Sequence, residues 1–276
     1  MADQIWRLHV GHGPLVATAI HDGSEFRPEV DQHLALDKAN RLREEDPFTA
    51  IWTEMAPTRI IGLRSRFEVD LNRPRETAVY QTPDDAWGLK VWKSELPADI
   101  VRRSLAEYDA FYRSLGELYS AIAAAHGAFV VFDLHSYNHR RLGMNAEPAD
   151  NNSNPTVNIG TGTMRNREKF ARLIDRFKHD LSSYEFPGGR LDVRENVKFF
   201  GGQHPRWAHA RFPDTACVLA IEFKKTFMDE WTGIPDWPLV EAIGDALKST
   251  VTGVMEELDR LKLCDRSTHN MSPIDC

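Results

Sequence analysis

The stretch AFVVFDLHSY, residues 128–137, constrains the fold more than any other part of the sequence. Its first half is an almost unbroken apolar run, which is typical of a strand buried on both faces in a sheet covered by helices. Its second half brings Asp133, His135, Ser136 and Tyr137 in close succession. In open α/β sheets, ligands bind at the carboxyl ends of the strands. The stretch therefore predicts an α/β protein with a polar site at one edge of its sheet.

Strands and helices alternate along the rest of the chain. We expect further strands at short apolar segments: IWRLHV, LVATAIH, RIIGL, FEVDL, TVNIGTG, NVKFFGG and ACVLAIEFKK. We expect helices where apolar residues recur with a 3.6-residue spacing: FTAIWTEM, residues 98–126 before Gly127, NREKFARLIDRFKHDLSS with Asn166 as N-cap, and a closing helix that begins at Pro238. The polar segment 22–49 is expected to be mostly a loop. This alternation indicates a single α/β domain over residues 1–264, followed by a polar tail at residues 265–276.

The composition limits the classes of protein that this chain can belong to. With 276 residues, of which 42% are hydrophobic, it can bury one large core. A net charge of -7 argues against a general nucleic-acid binder, which would be basic. The three cysteines have no CxxC spacing, so a reducing compartment is expected. We find no apolar run of membrane-span length and no signal peptide, and we expect a soluble, cytoplasmic protein without membrane partners.

Acidic residues and a histidine follow the early strands. LVATAIH ends at His21, with Glu25 shortly after it. A histidine at a strand end is either a metal ligand or an ordinary hydrogen-bonding residue, and the sequence leaves both open. Further along, Glu44, Glu45 and Asp46 precede Pro47 and a predicted helix, where acidic residues also favour the helix dipole.

The segment RSRFEVDLNRPRE concentrates arginines in an otherwise acidic protein, at Arg64, Arg66, Arg73 and Arg75. Arginine grips carboxylates through two parallel hydrogen bonds, so the segment indicates either a carboxylate-binding site or a solvated basic edge.

Two later strands carry further candidates. Asp133 and His135 are two residues apart on one strand, so their side chains point to the same face and the carboxylate can orient the imidazole. Glu222 lies in the apolar segment VLAIEFKK, where a buried carboxylate is costly unless it is paired or functional. Lys224 is the alternative, structural partner for it. Strand-end histidines, acidic groups, arginines and a buried glutamate together favour metal-assisted hydrolysis of a carboxylate-bearing substrate.

The sequence also resembles the N-formylglutamate amidohydrolase family. The matching segments occur in the family's order: IHDG, EEDPFT, RSRFEVDLNRPRE, DLHSY, VNIGTGT, FFGG and IEFKKTFMDEWTG. DLNRPRE and DLHSY are the most specific of these. The family is distantly similar to zinc carboxypeptidases and aspartoacylases, in which a histidine and an acid, an Asn-Arg pair, a second histidine and a late glutamate follow one another. Here that order is His21 with a following acid, Asn72 and Arg73, His135, then Glu222.

The resemblance implies a three-layer α/β/α domain with a mixed, mainly parallel sheet, similar to the phosphorylase/hydrolase-like zinc carboxypeptidases. It implies one zinc ion bound by His21, Asp46 and His135, with Glu45 and then Glu25 as alternates for the acidic ligand. It implies Glu222 as the general base. The substrate-binding residues that it implies are Asn72, Arg73, Arg64, Arg66, Ser136 and Tyr137.

The expected activity is zinc-dependent hydrolysis of an N-formyl or N-acyl amino acid, with N-formylglutamate-like substrates first. Two alternatives stay open. One is a carboxypeptidase-like or aspartoacylase-like hydrolase of another peptide or acyl substrate, and the other is a metal-free carboxylate-binding protein. A serine hydrolase that uses Ser136 is disfavoured, because no GxSxG elbow surrounds this residue.

Overall fold

The computed structural model describes residues 4–268, and its centre is a seven-stranded mixed sheet. The strands are β1 Trp6–His9, β2 Leu15–Ala19, β3 Thr58–Gly62, β4 Phe129–Tyr137, β5 Val157–Gly160, β6 Val193–Glu195 and β7 Ala216–Lys224. Their order across the sheet is β1-β3-β2-β4-β7-β5-β6. Strands β3, β2, β4 and β7 are mutually parallel, while β1 and β5 each pair antiparallel with their neighbours β3 and β7. The prediction of a mixed, mainly parallel sheet is confirmed.

Helices cover both faces of this sheet. They are α1 Pro28–Asp31, α2 Lys38–Glu44, α3 Thr49–Trp52, α4 Ala98–His126, α5 Ala171–Ser183, α6 Gln203–Arg211 and α7 Trp237–Thr268. Alternate residues of β4 face opposite sides of the sheet, and all nine are buried. Phe132 packs in the core with α5 and α7, whereas Val131 packs in the second core with α4 and α6. The result is the expected three-layer α/β/α arrangement.

Helix α4 has the bounds that the apolar spacing predicts. Its buried stripe includes Tyr108, Phe111, Leu115 and Tyr119, and it ends where Gly127 takes a positive φ of 77°. A glycine adopts this backbone conformation without the steric penalty of a side chain, so the chain can turn directly into β4.

Two of the predicted strands are wrong. FEVDL forms turns, and its apolar and acidic side chains are all buried. These side chains have partners on several sides, because Glu68 accepts a hydrogen bond from Arg27 and Asp70 lies within hydrogen-bond distance of His21. NVKFFGG forms no strand either, because the Asn158 side chain accepts hydrogen bonds from the backbone N–H groups of Val197 and Lys198. These N–H groups are therefore not available for the hydrogen bonds of a β-ladder. The edge strand is instead the short β6, just before this segment.

Smaller corrections concern helix ends. The segment 22–49 contains α1 and α2, where a loop was expected. Asn166 does not cap a helix with its side chain: it donates to Asp214, and a 3-10 turn at Arg167–Phe170 precedes α5. Helix α7, Trp237–Thr268, includes the first residues of the predicted tail, residues 269–276 lie outside the described residues, and the predicted domain bounds stay a prediction. No helix within the described residues is long and apolar enough to cross a membrane.

Candidate active site

The carboxyl ends of three parallel strands bring the predicted site residues to one edge of the sheet. His21 follows the end of β2, His135 lies near the end of β4, and Glu222 lies near the end of β7. His135 and Glu222 are register partners on adjacent strands, so their side chains leave the same face of the sheet. Strand register alone therefore fixes the spacing between these two groups.

Asp46 joins the two histidines from the loop after α2. His21, Asp46 and His135 each have only 2% of their surface exposed, and one potential ligand atom from each lies within 4.8 Å of the others. The backbone N–H of Asp46 donates to the carbonyl of His21 at 2.9 Å. The Lys225 ammonium donates to the carbonyls of Arg43 and Glu45 at 2.6 and 2.7 Å, at the end of α2. These bonds fix the loop in place.

The two imidazoles are oriented in the same way. Nδ1 of His135 and Nδ1 of His21 lie 3.0 and 3.4 Å from Oδ2 of Asp46. Their Nε2 atoms face other carboxylates: that of His21 is 2.8 Å from Oδ1 of Asp70, and that of His135 is 3.2 Å from Oδ2 of Asp133. A ring whose Nε2–H donates to a carboxylate presents an Nδ1 lone pair.

This donor set fits a divalent metal ion. When the proton of each ring lies on Nε2, two Nδ1 lone pairs and a carboxylate oxygen converge, and Nδ1 of His21 has no hydrogen-bond partner in the described structure. Three acceptors at this distance repel one another unless a cation lies between them. Histidine ligands whose other nitrogen donates to a carboxylate are typical of zinc sites, as is a set of three N/O ligands that leaves a position open.

The carboxylates of the site stay ionised although they are buried. For Asp46, burial raises the pKa, but the interactions with His135 and His21 outweigh it and leave the pKa below the usual range. For Asp70, burial is opposed by Arg66 and His21, and its pKa is also lowered well below normal. For Asp133, the nearby histidines lower the pKa in the same way. The site thus holds several negative charges around two imidazoles.

The two alternates for the acidic ligand lie elsewhere. Glu45 accepts a hydrogen bond from the Ser65 hydroxyl, and burial raises the pKa of Glu45 to about 7. Glu25 is exposed just beyond the end of β3, where its backbone forms an isolated β-bridge with that of Arg64. Only Asp46 of the three acidic candidates shares a cluster with both histidines among the described residues.

The Glu222 carboxylate differs from the other acids of the site. Within the described structure it forms no hydrogen bond or ion pair, and Lys224 donates instead to the Asn151 side chain at 2.8 Å. Burial raises the pKa of Glu222 to about 7, with His135 opposing the rise and Asp46 adding to it. A carboxylate is a candidate proton acceptor when its pKa lies near neutral pH, when it has no hydrogen-bond partner, and when it lies beside a cluster of potential metal ligands.

A cavity of about 220 Å³ opens beside the cluster. Its walls carry ionisable, amide and aromatic side chains: His21, Glu44, Asp46, Arg66, Asn72, Trp87, His135, Ser136, Tyr137, Asn138, Arg141, Phe199, Phe200, Glu222 and Lys225, with the backbone of Gly201 and Gly202. Asn72 is fixed by a close approach to Gly202, where an added Cβ would lie 2.3 Å from its side-chain oxygen. Four predicted substrate-binding residues therefore line the cavity, namely Asn72, Arg66, Ser136 and Tyr137.

The other two predicted arginines do not line it. The guanidinium of Arg64 lies 3.8 Å from Glu68, in a buried ion-pair group outside the cavity. Arg73 donates to the carbonyl of Asp85 at 2.9 Å and lies over the Tyr80 ring at 5.0 Å. Its side chain is 30% exposed. Their predicted roles stay predictions.

Ser136 and Arg66 both support the acidic residues of the centre. The Ser136 hydroxyl donates to Oδ1 of Asp46 at 3.2 Å. Arg66 forms two hydrogen bonds with Oδ2 of Asp70, at 2.8 and 3.2 Å, and a third with the carbonyl of Glu44. Arg66 thus braces the residue that orients His21, in addition to lining the cavity.

Several residues of the site were missed by the sequence interpretation. Asp70 lies inside the DLNRPRE segment, so its position before the Asn-Arg pair was a usable signal. His204 lies 2.9 Å from Oδ1 of Asp133 and its backbone N–H donates to Asn72, but no motif marks it. Trp87 and Arg141 come from loops without periodic pattern, and only the structure brings them to the cavity.

Sequence comparison places the chain among known hydrolases. Residues 13–228, well over half of the chain, match the sequence model of a family described as N-formylglutamate amidohydrolase. No curated protein matches the sequence significantly.

The fold is similar to two crystal structures. One is N-formylglutamate amidohydrolase from Ralstonia eutropha JMP134, with a TM-score of 0.73, 18% sequence identity, and coverage of 92% of this chain and 98% of that chain. The other is a gene product from Agrobacterium tumefaciens, with a TM-score of 0.56, 18% identity, and coverage of 89% and 96%. At this identity the similarity establishes a shared fold.

Proposed function

The chain belongs to the N-formylglutamate amidohydrolase family of C–N bond hydrolases, and we propose that it is a zinc-dependent enzyme that cleaves an N-formyl or N-acyl amino acid. N-formylglutamate-like compounds are the first candidates. The observation that carries the proposal is the convergence of three buried acceptor groups beside the unpaired carboxylate of Glu222. We infer that His21, Asp46 and His135 hold the ion. A bound zinc ion supplies Lewis acidity and lowers the pKa of water.

In this proposal Glu222 moves the proton. Its carboxylate accepts a proton from the attacking water, and the carboxylic acid then donates that proton to the nitrogen of the leaving amine. The absence of a hydrogen-bond partner among the described residues leaves the carboxylate available for both steps. Its raised pKa, about 7, suits a group that must accept and release a proton near neutral pH.

We propose that Asn72 and an arginine hold the carboxylate of the substrate. Asn72 lines the cavity, and its amide nitrogen lies 3.4 Å from Nε2 of His135. Arg66 lines the same wall, and Arg73 is partly exposed beside it. Arg73 donates to a neutral carbonyl, and its Nε lies 3.8 Å from the buried carboxylate of Asp70. Because Asp70 is also hydrogen-bonded by Arg66, Arg73 can turn toward a substrate carboxylate without leaving this buried charge unpaired.

The size of the cavity supports a small substrate over a peptide. Pockets for drug-sized ligands are commonly about 300–1,000 Å³, and this one is about 220 Å³. A single N-acyl amino acid is of the matching size.

The direct test is hydrolysis of N-formylglutamate by the zinc-loaded protein, measured as release of the free amine, with and without a chelator. Zinc content is measured in the same preparations. We expect about one zinc ion per chain, activity that chelation abolishes, and loss of most zinc in His135→Ala. Exposed His179 on α5 provides the control, because His179→Ala should keep both zinc and activity.

Full retention of zinc in His135→Ala would remove this residue from the centre. A zinc-loaded protein that releases no amine from any N-formyl or N-acyl amino acid would contradict the proposed reaction.

A further inference from the structure

A buried histidine, His204, lies behind the cluster of His21, Asp46 and His135 and has no part in the proposed reaction. It is the second residue of α6, none of its surface is exposed, and it does not line the cavity. Burying an imidazole is costly unless its polar atoms have partners. Each ring nitrogen of His204 has a polar group within hydrogen-bond distance, and its backbone N–H has a third.

The first partner is Asp133, the carboxylate that faces His135. Nδ1 of His204 lies 2.9 Å from Oδ1 of Asp133, and Oδ2 of the same carboxylate lies 3.2 Å from Nε2 of His135. The Thr18 hydroxyl also donates to Oδ1, at 2.6 Å. Thr18, Asp133 and His204 are all fully buried. The contacts at Oδ1 hold the plane of the carboxylate, and the position of Oδ2 against His135 therefore depends on His204.

The second partner is Tyr119 of α4. Its hydroxyl lies 2.9 Å from Nε2 of His204, and its side chain is fully buried. Burial raises the pKa of Tyr119 well above its usual range, and Asp133 adds to the rise, so the hydroxyl keeps its proton. When this hydroxyl donates to Nε2, the ring proton lies on Nδ1 and faces the carboxylate of Asp133, which only accepts. Tyr119 therefore favours the tautomer of His204 that holds Asp133.

The third partner is Asn72, on the substrate side of the cavity. The backbone N–H of His204 donates to Oδ1 of Asn72 at 3.0 Å, and that of Gln203 donates to the carbonyl of Asn72 at 3.0 Å. The first residues of α6 thus hold this amide in place. Its Nδ2 lies 3.4 Å from Nε2 of His135. A displacement of His204 would therefore move both His135 and Asn72.

We propose that His204 is a positioning residue that sets His135 and Asn72 relative to each other. Its side chain holds the carboxylate that orients His135, and its backbone holds Asn72. The inference rests on the proposed function and adds to it a residue that touches neither the zinc ion nor the substrate. Such placement matters because a displacement of about 1 Å can cost about 10²-fold in rate.

The test measures zinc affinity by competition with a chelator, in the absence of substrate. His204→Leu removes both ring nitrogens. The amide of asparagine branches at Cγ, as the imidazole does, so His204→Asn keeps an N–H group near the position of Nδ1, whereas the longer His204→Gln moves it toward that of Nε2. We expect zinc affinity to fall about 10- to 100-fold in His204→Leu and His204→Gln, and His204→Asn to recover most of the loss. Tyr119→Phe should resemble His204→Asn, because the donor to Asp133 remains.

The KM at saturating zinc tests the contact with Asn72. In His204→Leu, KM for N-formylglutamate should rise roughly 2- to 10-fold, the loss expected when one hydrogen bond weakens. His209→Leu is the matched control, because His209 lies on the same helix, is 2% exposed, and also has two polar partners, Thr163 at 2.8 Å and the backbone N–H of Val218 at 3.1 Å. It should lower the melting temperature and leave zinc affinity and KM unchanged.

Unchanged zinc affinity in His204→Leu would overturn the inference. Equal losses in His204→Leu and His209→Leu would also overturn it, because both would then follow from a weakened α6. An unchanged KM in His204→Leu contradicts the role toward Asn72. If His204→Leu does not fold, His204→Asn and His204→Gln decide, and equal zinc affinities in these two contradict the inference. A wild type that binds zinc but hydrolyses no N-acyl amino acid overturns the proposed reaction alone, because the zinc affinities still test His204.

Discussion

The two walls of the cavity are built in different ways. On the metal-ligand wall, His21, Asp46 and His135 are almost completely buried, and a carboxylate orients each imidazole. On the substrate side, Arg141 lines the cavity and Arg73 lies outside its lining; both are partly exposed and come from loops. Strand ends and buried hydrogen bonds hold the first wall within the narrow tolerance that metal coordination requires, whereas loops allow the second wall to adapt to a ligand. Variants of single residues can therefore separate the two walls or show that they are coupled.

The largest effect is expected for Glu222→Gln, which keeps the shape of the side chain and removes the proton acceptor. We expect kcat to fall by about 10²–10⁴-fold, with zinc content and melting temperature unchanged. Steady-state kinetics, metal analysis and thermal unfolding measure the three quantities. Lys224→Met is the control, because Lys224 binds Asn151 in the structure and should leave kcat unchanged. A Glu222→Gln variant that is destabilised yet active would show that the residue has a structural role.

The next effect concerns the substrate wall alone. Arg73→Ala should weaken transition-state binding by roughly 1.5–3 kcal/mol, the usual loss for a charged hydrogen-bonded partner. This loss is measured as a fall in kcat/KM. Arg73→Lys should recover only part of it, because an ammonium lacks the bidentate fork. Zinc content should stay the same in both variants. If kcat/KM does not change, Arg66 is the residue that binds the main-chain carboxylate.

A smaller effect is expected when the metal wall loses its support. Asp70→Asn removes the carboxylate that orients His21 and that Arg66 braces. We expect zinc affinity to fall about 10- to 100-fold, measured by competition with a chelator. At saturating zinc, KM for N-formylglutamate should be unchanged. If KM also rises, Arg66 couples the two walls through Asp70.

The smallest effect is the pH dependence. Glu222 must be ionised to accept a proton, and burial raises its pKa to about 7. Activity is therefore lost as the pH falls through this pKa and is retained above it. A bound cation stabilises the ionised form, so the acidic limb of kcat/KM should lie at or below pH 7 in the zinc-loaded enzyme. This limb should be absent from the residual activity of Glu222→Gln. An unchanged limb in that variant would assign it to another group.

Sequence patterns predicted the sheet well where they were local. Continuous apolar runs marked β4 and β7, and a 3.6-residue stripe marked α4 with its end at Gly127. The same patterns failed at FEVDL and NVKFFGG, although both are apolar and extended in appearance. There the backbone is held by partners far away in the sequence, such as the Asn158 side chain, and no local periodicity reports such contacts.

The sequence by itself determined the fold class and the positions of His21, His135 and Glu222 at strand ends, because apolar runs and a two-residue alternation fix where strands stop and which way side chains point. Only the tertiary structure decided which acid faces the histidines, and which basic residues reach the cavity. Those residues lie on loops, where direction depends on distant contacts. The Lys225 ammonium, on the segment after β7, donates to the carbonyl of Glu45, and the Ser65 hydroxyl donates to the side chain of Glu45. Asp46 is therefore the acid that faces the two histidines.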